Sequence, residues 1–124
     1  MTDVIFEFYR GDTYTRDFTV TGWSLPISNA YFTVKESVDH KRACIQKTLN
    51  NGIEVVDVTE EGTTFNLKIN ATDTDNLKAD FDYVFDIEIH SDVEGELVKK
   101  TIVTGVLRVL ASATKTCNEV KLNG

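Results

Sequence analysis

In Thr64-Phe65-Asn66-Leu67-Lys68-Ile69-Asn70 every second residue is apolar, and the same period returns from Asp82 to His90, where Tyr83, Phe85, Ile87 and Ile89 alternate with Asp82, Asp86, Glu88 and His90. Side chains of a strand point to opposite faces in turn, so a period of two describes a strand with one dry face and one wet face. Further runs rich in β-branched and aromatic residues occupy Val4 to Tyr9, Tyr14 to Val20, Ala30 to Glu36, Ala43 to Thr48, Ile53 to Val58 and Lys99 to Leu110. About eight short strands at this spacing predict an all-β sandwich or barrel.

Turn signals punctuate the runs: Arg10-Gly11-Asp12, Gly22 to Ser28, Asn50-Asn51-Gly52, Glu60-Glu61-Gly62 and Glu94-Gly95. Asn51-Gly52 is the sharpest, because a type I′ turn needs φ > 0 at both central residues; it predicts a hairpin joining 43–48 to 53–58. Only Ala71 to Ala79 breaks the β pattern, and Thr72 or Asp73 as cap predicts one short crossover helix near 72–78. Alternation is lost after Leu110, which divides the chain into a single domain over 1–110 and a C-terminal tail over 111–124.

Thirteen basic against twenty acidic residues give a net charge of −7, which disfavours nucleic acid and anionic lipid as partners. No run of apolar residues reaches the ~20 of a membrane span. Asp3 stands where an export signal would carry positive charge, so Cys44 and Cys117 are expected as reduced thiols and Asn70-Ala71-Thr72 as a chance match to a glycosylation acceptor.

Catalytic signatures are missing. There is no nucleophile elbow, phosphate loop, dinucleotide fingerprint or zinc spacing, and His40 and His90 are expected to be solvated, one in a charged turn and one on an outward strand face. These absences predict a chain that is not an enzyme and needs no cofactor. Asp73, Asp75, Asp80 and Asp82 form an acid-rich run, but a calcium loop begun at Asp73 would place Lys78 at its glycine and Val84 at its closing glutamate. A cap followed by a solvated turn is the expectation there. The outward carboxylates of 82–90 read as a wet strand face, with Lys99 and Lys100 offsetting part of their charge across the Glu94-Gly95 turn.

Two apolar features exceed what a simple sandwich needs. The loop Thr21-Gly22-Trp23-Ser24-Leu25-Pro26-Ile27 either plugs one end of the core or presents a patch to a partner. Val4-Ile5-Phe6, Val55-Val56, Ile102-Val103 and Val106-Leu107 are apolar on both faces, which loop cover or a subunit contact would explain. Candidate interface residues are therefore Trp23, Leu25, Ile27, Val55 and Val56.

The order of these features resembles that of a phage protein family. Phe8-Tyr9-Arg10-Gly11-Asp12-Thr13 leads into Asp17-Phe18-Thr19-Val20, the loop Gly22 to Ile27 and Ala30-Tyr31-Phe32-Thr33-Val34-Lys35; later come Phe65 to Ile69, Thr72-Asp73-Thr74, Tyr83 to Ile89 and Lys100 to Leu107. Over roughly residues 4 to 110 the chain is similar to the small immunoglobulin-like β-sandwich proteins of tailed bacteriophages, such as the N-terminal domain of upper baseplate proteins. The resemblance implies a single immunoglobulin-like β-sandwich acting as a structural or assembly protein of a phage or prophage particle, in its tail or baseplate region. It further implies a place in the virion, assembly in the bacterial cytoplasm, other particle proteins as partners and a homo-oligomer. In that setting Arg10-Gly11-Asp12 is a structural turn, not a cell-attachment signal, as Asn51-Gly52 is at its own corner. The alternative is an adhesion or carbohydrate-binding module with Trp23, Tyr14 and Tyr31 as stacking groups.

Overall fold

A computed structural model describes residues 4–112 of the 124-residue chain, so Cys117 and most of the predicted tail lie outside the described residues. In chain order the elements are β1 (Val4–Tyr9), β2 (Tyr14–Thr21), β3 (Asn29–Lys35), β4 (Ile45–Leu49), β5 (Gly52–Val58), β6 (Gly62–Ile69), α1 (Ala71–Asp75), β7 (Phe81–Val93) and β8 (Glu96–Leu110). Strand order is β1-β8-β7-β3-β4-β5-β6-β2. One layer is β1-β8-β7-β3-β4 and the other β5-β6-β2, joined where β4 and β5 share only two residue pairs. With β1 parallel to β8 and the remaining long ladders antiparallel, this is an immunoglobulin-like β-sandwich.

The period-two runs bury the faces they should. Phe65, Leu67 and Ile69 of β6 face Tyr83, Phe85, Ile87 and Ile89 of β7 across the core, all nearly inaccessible. Phe6 stacks on Phe85 at 4.4 Å between ring centroids and lies 6.2 Å from Phe32, so three strands of one layer are tied by aromatic rings. Gly105 is where β1 can begin: a Cβ there would sit 2.1 Å from the Val4 carbonyl oxygen and 2.8 Å from the Phe85 ring.

Two local expectations are corrected. Asn51-Gly52 does not close a hairpin; β4 and β5 run parallel over Thr48–Gly52 and Leu49–Ile53, and the positive φ values fall on Asn50 (69°) and Gly52 (101°). The turn serves as the passage between layers, where the two strands part after two residue pairs. The helix is shorter than expected and begins earlier, with extended Asn70 as its N-cap. Asp73 lies inside the first turn and its carboxylate accepts the Asn70 N–H at 3.0 Å, the back-bond of a capping box.

The crossover from β6 to β7 is held at three points. Asp73 pairs with Lys47 of β4 at 2.6 Å, buried Thr74 bonds the β1–β2 turn, and the Tyr83 hydroxyl accepts the Lys78 backbone N–H at 2.7 Å. Immunoglobulin-like sandwiches use a tyrosine at this corner in the same way. Burial is the main influence pushing the Tyr83 hydroxyl pKa above its usual value.

The β7–β8 hairpin outruns the rest. β1 covers β8 only from Gly105 to Leu110, so among the described residues no strand pairs with Glu96 to Thr104 on the side away from β7. A bulge between Ile87 and Glu88 disturbs the ladder there, and Lys99 and Lys100 stand opposite His90 and Ile89.

Tyr83→Phe keeps the ring but leaves the Lys78 N–H without its acceptor. It is expected to lower unfolding free energy by about 1–3 kcal/mol, read as a lower denaturant midpoint at unchanged slope.

Candidate functional site

Three places bring together the residues singled out in the sequence. The first is Arg10-Gly11-Asp12, the connection between β1 and β2. Gly11 has φ of +93°, its N–H donates to Thr74 Oγ1 at 3.0 Å, and the Thr74 hydroxyl donates to the Asp12 carbonyl at 2.7 Å. The backbone of the tripeptide is thus docked onto α1 through a fully buried threonine. Gly11→Val should cost about 1–3 kcal/mol through the forced left-handed φ, whereas Arg10→Ala should stay within about 0.5 kcal/mol. Thermal or urea melts of the two variants compare them directly.

The second is an apolar cleft of about 280 Å³ at one end of the sandwich, bounded by Trp23, Leu25, Ile27, Leu49, Val55 and Val58. Trp23 is half-buried against the core, and its indole N–H donates to Ser91 Oγ at 2.9 Å. That bond pins the loop to β7, so Trp23 is both part of the plug and one wall of the cleft. Val55, Val56 and Val58 of β5 are 46%, 54% and 69% exposed. Val56 falls at the bulge between Val55 and Asp57 in the β5–β6 ladder and does not line the cleft. Ile102 and Val103 are partly buried against the core, away from this group. Leu49 and Val58 join the cleft without having been singled out in the sequence, because each closes its strand and only the fold sets it beside the Trp23 loop.

The third is a polar groove of about 440 Å³ on the outer face of β3, β4 and β7. Tyr31 and Thr33 of β3 stand opposite Glu88 and Asp86 of β7, and Gln46 of β4 donates to Thr33 Oγ1 at 3.1 Å. His90 departs from the solvated state expected of it: only 15% of its side chain is accessible, Nε2 lies 2.7 Å from Glu88 Oε1, and its ring centroid is 4.6 Å from that of Tyr31. The partners of the outward carboxylates also differ from expectation. Asp82 receives Arg108 Nε at 2.9 Å, and Glu88 has His90; Lys99 and Lys100 make no ion pair among the described residues. Hydrogen bonds from Arg108 hold Asp82 below the usual carboxylate range. Asp86 is pushed above it, chiefly by burial and then by the Glu88 charge, with Lys35 opposing.

Tyr14, by contrast, is no free stacking group. Its ring lies 5.4 Å from Phe6 and 5.1 Å from Phe8, as part of the core margin. Nor do the acidic residues of 73–82 converge: Asp73 is taken by Lys47 and Asp82 by Arg108, and among the described residues no group of three or more His, Cys, Asp or Glu could hold a metal.

Because the folded state raises the Asp86 pKa, its ionised form destabilises the fold at neutral pH, and that cost disappears as pH falls through the folded pKa toward and below the unfolded value of 3.8. Asp86→Asn should therefore raise the melting temperature at pH 7 and leave it unchanged well below pH 3.8, a difference that melts at the two pH values would expose.

No protein-family model and no curated protein matches the sequence. Among solved structures the chain is similar to AggA, the major subunit of aggregative adherence fimbriae type I from Escherichia coli, at 12% identity over 90% of this chain and 91% of that one, with a TM-score of 0.33.

Proposed function

We propose that this chain is a non-enzymatic structural or assembly subunit of a tailed-phage or prophage particle, in its tail or baseplate region, working through side-chain surfaces at the Trp23 end of the sandwich. The observation that carries the reading is the apolar cleft between the Trp23 loop and β5, continued by the exposed valines of that strand. Water-exposed apolar surface on a small domain favours burial against a partner, and particle subunits bury such patches in symmetric contacts. The sequence resemblance to phage sandwich proteins supplies the setting: other particle proteins and further copies of the chain as partners, assembly in the bacterial cytoplasm and residence in the virion.

The net charge of −7 opposes association at low ionic strength, so self-association should strengthen as salt screens the repulsion. Light scattering across a salt series, together with capture of particle proteins by the tagged chain, tests the reading. Val55→Asp and Val58→Asp, both exposed, should abolish oligomer and capture at unchanged melting temperature. A chain that stays monomeric at tens of micromolar in every salt, by order of magnitude a modest demand for a particle contact, and that captures nothing would overturn it.

A further inference from the structure

The groove over β3, β4 and β7 is a polar cleft larger than the one that lies over β4, β5 and β6. Most of its polar groups are partly engaged with one another, and Asp86 is an exception. The Gln46 amide and the Thr33 hydroxyl share one bond, Glu88 holds His90, and Asp86, which is part-exposed, has no side-chain hydrogen bond among the described residues, with only the Lys35 charge favouring its ionised form. A part-exposed carboxylate with no protein donor is served by water, and it can exchange that water for the hydroxyls of a ligand.

Charge decides what kind of ligand would suit the groove. Its lining carries two carboxylates, Asp86 and Glu88, and two ammonium groups, Lys35 and Lys41, so it offers no net charge to an ion of either sign. It does offer both donors and acceptors within a short span, together with the ring of Tyr31. A second cleft of about 350 Å³ shares Thr33, Lys35 and Asp86 with the first and adds the apolar walls Val38, Val84 and Val106. The two form one track across the sheet, polar at the His90 end and apolar at the Val106 end. Both volumes lie within the range of ligand sites, about 300–1,000 Å³. A ligand matched to such a track is neutral, dense in hydroxyls that both donate and accept, and apolar on its ring faces.

We propose that this track is a binding site for a neutral saccharide chain, with the Tyr31 ring as the surface on which a sugar packs and with Asp86, Gln46 and Lys35 as partners of its hydroxyls. Asp86 accepts from two neighbouring hydroxyls, which take the place of the water on its exposed side. Gln46 and Lys35 donate to oxygens on the opposite edge. The Val38–Val106 end packs against the C–H face of a second ring. This inference goes beyond the assembly reading and is independent of it, because the track lies on the outer face of the five-stranded layer and includes none of the residues of the Trp23 cleft.

The test is titration of isotope-labelled protein with three neutral tetrasaccharides, β-1,4-glucose, α-1,4-glucose and β-1,4-N-acetylglucosamine, to about 10 mM, a concentration suited to millimolar affinity. Backbone amides of residues 31, 33, 46, 86 and 88 should shift with at least one of them. Tyr31→Ala and Asp86→Ala should each weaken binding about tenfold or more, while Tyr31→Phe retains it and Trp23→Ser leaves it unchanged. Well-dispersed amide spectra of each variant establish that the fold is intact. The proposal is overturned if none of the three sugars moves those amides, if binding survives both alanine substitutions, or if only an anionic polymer such as heparin binds.

Discussion

The sandwich depends on the crossover between β6 and β7. Residues 70–80 connect the two layers, and three of them fasten it to separate parts of the fold: Asp73 to Lys47 on β4, Thr74 to the turn between β1 and β2, and Lys78 to the Tyr83 hydroxyl at the start of β7. Each tie is a polar interaction in a partly or fully buried place, where an unmade hydrogen bond costs more than a made one gains. A slip of the crossover would leave all three unsatisfied together. The register of β7, and hence which of its residues face the core, rests on that cost as well as on its apolar alternation.

Much of the architecture was legible from the sequence because alternation is a local property. Phe65, Leu67 and Ile69, like Tyr83, Phe85, Ile87 and Ile89, declare their dry face within a few residues, and the core is built from them. Pairing is not local, and there the reading failed. Asn51-Gly52 has the chemistry of a hairpin turn, yet the chain uses Asn50 and Gly52 to leave one layer for the other. Nothing within the turn distinguishes a return from a departure; the distinction lies in which strands lie beside β4 and β5.

The same limit governed the candidate sites. Asp86, Glu88 and His90 read as the wet face of a strand, and they do point outward. What converts that face into a groove is the chain between β3 and β4, whose Val38, Lys41 and Ala43 contribute to its walls some forty-five residues earlier in the sequence. The Trp23 loop was visible as an excess of apolar residues, but its dual character depends on Ser91, a buried hydroxyl sixty-eight positions away that fixes the indole. Side-chain type indicated which residues were unusual; contacts between distant segments determined what each could do.

The uncovered stretch of β8 bears on what could pair with the sheet. An open ladder edge is a template on which any extended segment can polymerise, whatever its side chains. Here an incoming strand would meet a bulged repeat and would have to strip water from two lysine ammonium groups. Backbone pairing, the least selective form of protein adhesion, is thereby discouraged along this stretch of edge. Along that stretch a contact would have to rest on side chains whose shape and chemistry match, a far more selective basis than the ladder itself.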